Sequence, residues 1–145
     1  MIYAYQKHID ALRTVEIILP SDGSQRIGTE LATIGDTTYV YVPDTATLPP
    51  QPAEITVAPA TLTDALKADI KAASPHVRLI SDRMQEKIRE QYSLEDEAYF
   101  SRIGVGVALG AYAFQPGEHE ALLAFGAFVE SVRQWGRDQR SLLGL

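Results

Sequence analysis

The sequence predicts an α+β fold: an N-terminal β-hairpin or small antiparallel sheet, a proline-rich extended strap, and a C-terminal helical bundle. Three observations predict it. The first 42 residues are rich in β-branched and aromatic side chains punctuated by turn signals. Five prolines then fall within residues 43–59. From Ser74 onward, apolar residues recur at spacings of three and four, the period of an amphipathic helix. The expected organisation is a β-rich lobe over 1–42, a strap over 43–60 and a helical lobe over 61–145, forming one domain or two small lobes that share a core.

Taken in order, residues 1–12 carry two readings. Ile2, Tyr5, Ile9 and Leu12 follow helical spacing, yet Ile2-Tyr3-Ala4-Tyr5 reads equally as a strand. Residues 14–19 are β-branched and extended, and Pro20 closes them. Ser21-Asp22-Gly23-Ser24 is a turn cluster. A hairpin follows, with residues 30–34 and 37–42 flanking Gly35-Asp36; glycine first in a two-residue loop predicts a type II′ turn. Tyr39 and Tyr41 share one face of the second strand and Val40 and Val42 the other, so this strand is expected to be buried on both sides or to meet a partner.

The strap, with Pro43, Pro49, Pro50, Pro52 and Pro59, is extended and poor in backbone donors. It lies across its own surface or reaches a neighbouring subunit, and Leu48 and Ile55 are its expected anchors. A short helix opens at Thr61-Leu62-Thr63-Asp64, carries Leu62, Leu66 and Ile70 on one face, and stops near Ala73 because Pro75 disfavours helical geometry at Ser74. Ser74 is then the N-cap of the next helix, with Pro75 at its first position and Val77, Ile80, Met84, Ile88 and Tyr92 as its apolar stripe. Ser93 restarts the pattern as a capping box with Asp96, and Glu95, Asp96 and Glu97 complement the helix dipole of the first turn. Residues 104–114, GVGVALGAYAF, read as a close-packed helix, with a buried strand as the rival. Pro116-Gly117 breaks the chain, and the last helix begins at Glu118 with Leu122, Phe125, Val129, Val132 and Trp135 on one face.

Bulk composition bounds the function. Apolar content of 46% and charged content of 22% are those of a globular chain. A net charge of −6 repels phosphate backbones, which argues against general nucleic-acid binding. No cysteine is present, so disulfides, thiolate metal sites and thiol chemistry are excluded. The N-terminus lacks the pattern of a signal peptide, and the longest apolar run, residues 103–114, has 12 residues where a membrane span needs about 20.

The chemistry-bearing motifs are sparse. His8, His76 and His119 are far apart, and none sits in a metal-ligand spacing. Gly104, Gly106 and Gly110 superficially match a dinucleotide loop but fail its spacing and follow a helix. No catalytic residue, cofactor or metal is therefore expected. The candidate residues are instead partner-binding: Tyr39 and Tyr41 on the hairpin; Leu48, Pro49 and Pro50 on the strap; Arg133, Arg137 and Arg140 as a basic strip beside Trp135; and the apolar tail with Leu143 and Leu145. Arginines at this position also complement a helix C-terminus, and a tryptophan at this spacing is also a core residue.

Several segments carry a resemblance. They are Thr37-Thr38-Tyr39-Val40, Leu48-Pro49-Pro50-Gln51-Pro52, Ser74-Pro75 with Val77-Arg78-Leu79-Ile80, Lys87-Ile88-Arg89, Tyr92-Ser93-Leu94-Glu95-Asp96-Glu97, Trp135-Gly136-Arg137 and Leu143-Gly144-Leu145. Their order resembles that in small proteins encoded in the tail-gene regions of tailed bacteriophages and prophages. The resemblance implies a structural component of a phage tail, near the baseplate or tail-fibre attachment, that acts without a catalytic site. It implies other tail or fibre proteins as partners in a symmetric assembly, neither nucleic acid nor membrane, and a place in the virion tail or in the host cytoplasm during assembly. A tail-fibre assembly chaperone is the alternative expectation, and a small nucleotide-binding protein or enzyme using residues 104–110 the second.

Overall fold

The computed structural model describes residues 1–145 in the order β1 (Ile2–Tyr5), β2 (Ser21–Asp22), β3 (Gln25–Arg26), β4 (Thr29–Ile34), β5 (Thr37–Tyr41), β6 (Ala58–Pro59), α1 (Asp64–Ala73), α2 (Pro75–Gln91), α3 (Leu94–Ala108) and α4 (Glu118–Ser141). The fold is α+β, with small antiparallel sheets followed by four helices. It divides into two compact units, Met1–Leu79 with Arg140–Leu145, and Ile80–Gln139. These units differ from the expected lobes. The strap and α1 belong with the strands, and the expected helical lobe over 61–145 is divided between the two units.

In the first unit, the main sheet has the order β4-β5-β1-β6 and is antiparallel throughout. β5 joins β4 through Gly35-Asp36. Gly35 takes φ 58° and Asp36 does not take positive φ, which fits type II′; type I′ would need both. Thr33 and Thr38 hydroxyls lie 2.9 Å apart across the hairpin. A bulge between Glu30 and Ala32 interrupts the register, and consecutive residues Leu31 and Ala32 are both buried there. β1 is decided as a strand by pairing with β5, Ile2 opposite Tyr41 and Tyr5 opposite Thr38. The helical spacing of Ile9 and Leu12 is not realised: beyond β1 the chain is irregular to an isolated bridge between His8 and Thr14, and Leu12 is exposed. The turn cluster at Ser21–Ser24 tightens into a two-stranded ribbon, β2 with β3.

Strand alternation sorts the core into two clusters, one on each face of the sheet. On one face Ile2 and Leu31 join Ile70 of α1, Val77 and Leu145, with Tyr39, Tyr41 and Leu143 packed against them. On the other, Tyr5, Val40, Val42 and Ile55 form the core, flanked by Val15, Ile17, Leu19, Ala46 and Leu48. Segment 14–19 is thus extended without a ladder. Its odd residues face the core, and the Gln51 side-chain amide accepts from Ile18 N–H and donates to Ile18 C=O, supplying what a neighbouring strand would. The strap closes by adding β6 to the sheet edge, where Pro59 interrupts no interior ladder.

α1 starts at N-cap Thr63, whose side chain accepts from Leu66 N–H, and Ser74 N–H closes it on Ile70 C=O. In the second unit, Ile80, Met84 and Ile88 are the half-buried positions of α2, and Tyr92 just past its end is half-buried too. The capping box at Ser93 is fully formed: Ser93 Oγ accepts from Asp96 N–H, and Asp96 accepts from Ser93 N–H. Tyr92, Phe100 and Phe125 meet with ring centroids 5.0 to 6.0 Å apart. Residues 104–108 are helical, so the strand reading is set aside. Ala111 N–H then returns to Gly106 C=O and Gly110 N–H to Val107 C=O, a Schellman ending that satisfies the last carbonyls.

Candidate functional site

The first unit places most of its expected partner-binding residues inside its own packing. Tyr39 and Tyr41 pack on the cluster around Leu31, and Val40 and Val42 lie in the opposite one, so both faces of β5 are covered by the chain itself. Leu145 is buried, Leu143 packs beside it, and Gly144 passes so close to Tyr41 that a Cβ would meet the ring. The tail is therefore docked in cis. Leu48 anchors the strap on the second cluster, Pro49 is half-buried, and Pro50 is exposed. Of the two readings of the strap, the structure has the first: apolar anchors and the Gln51 bonds hold it on its own sheet.

The second unit presents the more open surface. Trp135 is half-buried and lines a groove of about 470 Å³ with Lys87, Glu90, Gln91, Phe128, Ser131 and Val132. Lys87 Nζ lies 4.9 Å from the Trp135 ring centroid, a cation–π contact that orients the indole. Gly136, on the turn that carries Trp135, faces Met84 at a distance that leaves no room for a Cβ, so α2 and α4 approach closely here. The arginines of the expected basic strip all lie on α4 but in different surroundings. Arg137 is taken by Glu130 and Gln134, Arg133 is exposed, and Arg140 belongs to the first unit. Periodicity placed these arginines on one helix face but carried no information about Glu130 and Gln134 on the same face.

The apolar side chains left in solvent are the feature that sequence reasoning missed. Leu94 is 68% exposed, Val105 58%, Leu109 77% and Leu123 60%, all on α3, its C-cap and α4. The signal was present: residues 121–129 contain no charge, so α4 has apolar residues around its whole circumference there.

At the start of α4, Glu118 gathers three donors. Tyr99 Oη donates to Oε1 at 2.8 Å, Tyr112 Oη at 2.9 Å, and Gln115 N–H to Oε2 at 3.2 Å. Accepting from the phenols holds both tyrosines above their ordinary value. Partial desolvation acts to raise the Glu118 carboxyl, and the bonds from Tyr99, Tyr112 and Gln115 together outweigh it, leaving it depressed. This arrangement ties α3 and the 109–117 loop to the start of α4. The first-turn acids behave as helix-end groups: Glu97 pairs with Arg89, and the bond from Ser93 N–H keeps Asp96 low.

Gly104 and Gly106 sit in the C-terminal half of α3, where carbonyls rather than amides point outward, a poor cradle for phosphate. Gly106 has a packing role, since a Cβ there would lie 2.8 Å from Tyr112 Cβ. His119 stacks on Phe114 with centroids 4.9 Å apart. No group of three or more His, Asp or Glu side chains is assembled, and no helix is long and apolar enough to cross a membrane. Compared with family models, with curated proteins and with solved structures, the chain finds no match.

Proposed function

We propose that this chain is a non-enzymatic structural component of a bacteriophage tail, in the baseplate or tail-fibre attachment region, working through protein–protein contacts. The observation that carries the protein-contact reading is the set of exposed apolar residues on α3 and α4, Leu94, Val105, Leu109 and Leu123. Large aliphatic side chains held in water by well-formed helices favour burial against another chain, each worth roughly 1.5–3 kcal/mol when fully covered. The phage assignment rests on the resemblance in residues 37–40, 48–52, 74–80, 87–89, 92–97, 135–137 and 143–145, and a symmetric assembly would reuse one such surface many times.

Mass spectrometry of purified particles from a phage that encodes this chain tests the reading. The chain is expected at a fixed stoichiometry relative to the other tail proteins. Its absence from particles, with retention in the lysate bound to a fibre protein, would favour an assembly chaperone instead. Absence from both would sink the tail assignment.

A further inference from the structure

α3 turns one apolar side inward: Phe100 and Ile103 are buried, and Gly104 and Val107 are half-buried beside them. On a helix packed along one stripe the opposite side is ordinarily charged, because it faces water. Here it is not. Leu94, Ala98, Ser101 and Val105 recur there at spacings of four, three and four, all exposed and none charged. That is the period of a helix-pairing seam, repeated on the side away from the chain's own packing. Leu94 and Val105 mark its two ends at 68% and 58% exposure, and Leu109 borders it at the C-cap. Ala98 and Ser101 occupy its middle, small enough to let a second helix approach to about 8 Å between axes.

Charge lines one border of the seam. Glu95 and Arg102 each directly follow a seam residue, so they stand two turns apart on the same border. Both are exposed, and neither takes part in any of the molecule's ion pairs. On the other border Glu97 is held by Arg89, and Gly104 carries no charge. We propose that this face of α3 pairs antiparallel with the same face of a second copy of the chain. This names the partner in the protein-contact reading above, and it rests on that reading. A two-fold axis across the seam sets Leu94 against Val105 of the second copy, and Ala98 against Ser101. Like borders then meet, so Glu95 faces Arg102 of the second copy, and symmetry makes that pair twice. A parallel copy would instead offer Arg102 only Glu97, which Arg89 already holds, and leave Glu95 unmatched. An antiparallel copy shifted by one heptad would set Arg102 against its own counterpart. Charge complementarity therefore selects both the occupant and the register. One helix seam buries less than the roughly 800 Å² per partner of a tight complex, so the dimer forms with a Kd of roughly 10 µM or above.

Analytical ultracentrifugation of the full chain, from about 5 µM to about 500 µM, tests this. The mass is expected to rise from one chain towards two across that range, and to stop there because a two-fold contact closes on itself. Ala98→Lys puts bulk and charge into the middle of the seam and should leave the chain monomeric throughout. Lysine suits an exposed helix position, so this variant should melt with wild type in dilute solution, which separates lost pairing from lost folding. Arg102→Glu turns two attractions into two repulsions and should weaken dimerisation about tenfold. Adding Glu95→Arg to that variant exchanges the two charges and should restore most of the loss. A wild-type chain that stays monomeric to the highest concentration overturns the proposal. So does a dimer that survives Ala98→Lys, which would place the contact elsewhere, or an exchanged variant no stronger than Arg102→Glu alone. The particle experiment is independent of all these outcomes: a monomer found in virions sinks the dimer alone, and a dimer missing from virions and lysate complexes sinks the tail assignment alone.

Discussion

The two units bury their apolar residues to different degrees. All the fully buried side chains, Leu31, Thr38, Val40, Val42, Ile70 and Ser74, lie in Met1–Leu79. There a sheet is covered on both faces, by α1, the start of α2 and the tail on one side and by the strap and segment 14–19 on the other. The helical unit, Ile80–Gln139, buries only Phe100, Ile103, Val132 and Gly136, and leaves Leu94, Val105, Leu109 and Leu123 in solvent. A sheet covered on both faces encloses a deep core by itself, while Leu12 and Leu142 at its margins stay exposed. A few helices joined by short turns cover one stripe each and leave the remainder outward. The first unit therefore holds the deeper core, and the second keeps more of its helix surface apolar and open.

Core truncation should break this comparison most sharply. Ile70→Ala is expected to destabilise by about 2–5 kcal/mol, whereas Leu109→Ala should change monomer stability by less than about 0.5 kcal/mol. Urea denaturation of both variants checks this, and equal losses would mean that the exposed leucine is buried in solution. Paired glycine changes come next. Gly106→Ala, whose Cβ would press on Tyr112 Cβ, should cost about 1–3 kcal/mol. Gly104→Ala meets only Leu122 at ordinary contact distance and should stabilise by about 0.5–1 kcal/mol from helix propensity. Thermal melts that move in the same direction for both would refute the close approach at Gly106.

A smaller effect is expected at Tyr5 in the first unit. Its hydroxyl is buried without a hydrogen-bond partner, and burial pushes the phenol upward. Tyr5→Phe should therefore stabilise by up to about 1 kcal/mol; a loss of that size would reveal a bond to Ile17.

The smallest effects come from exposed carboxylates. Asp96, Glu118 and Glu130 of the helical unit are all depressed in the folded state. Their contribution is present above the ordinary carboxylate range, near pH 4, and is lost as pH falls through the lower folded values, because the unfolded chain then binds more protons. Trp135, the single tryptophan, lies in this unit and reports it. Acid titration of its fluorescence should give a shallower pH dependence in Glu118→Gln than in wild type, and superimposable curves would remove Glu118 from the account.

Much of the architecture was legible because it is local. Thr63, Ser74, Ser93 and Gly117 mark helix boundaries through side chains and backbone angles that involve only a few neighbours. Gly35-Asp36 set the hairpin for the same reason. The candidate site was legible in part. Trp135 does line an open groove with Phe128, two turns before it on the same helix, but Lys87 and Glu90 come from α2, which no spacing rule connects to it. Arg137 and Arg140 lay on one predicted stripe, but its period could not show that Glu130 and Gln134 pair with the first or that the second is half-buried.

The sequence by itself determined the α+β class, the helix starts and stops, the hairpin, and the two-faced apolar character of β5. These follow from dihedral preferences, capping bonds and side-chain period, which act within a few residues. Only the tertiary structure decided that β1 is a strand and that the strap and leucine tail are anchored on their own sheet. Each of those outcomes depends on contacts between residues far apart in the chain, where burial and charge are set by what packs alongside rather than by what comes next.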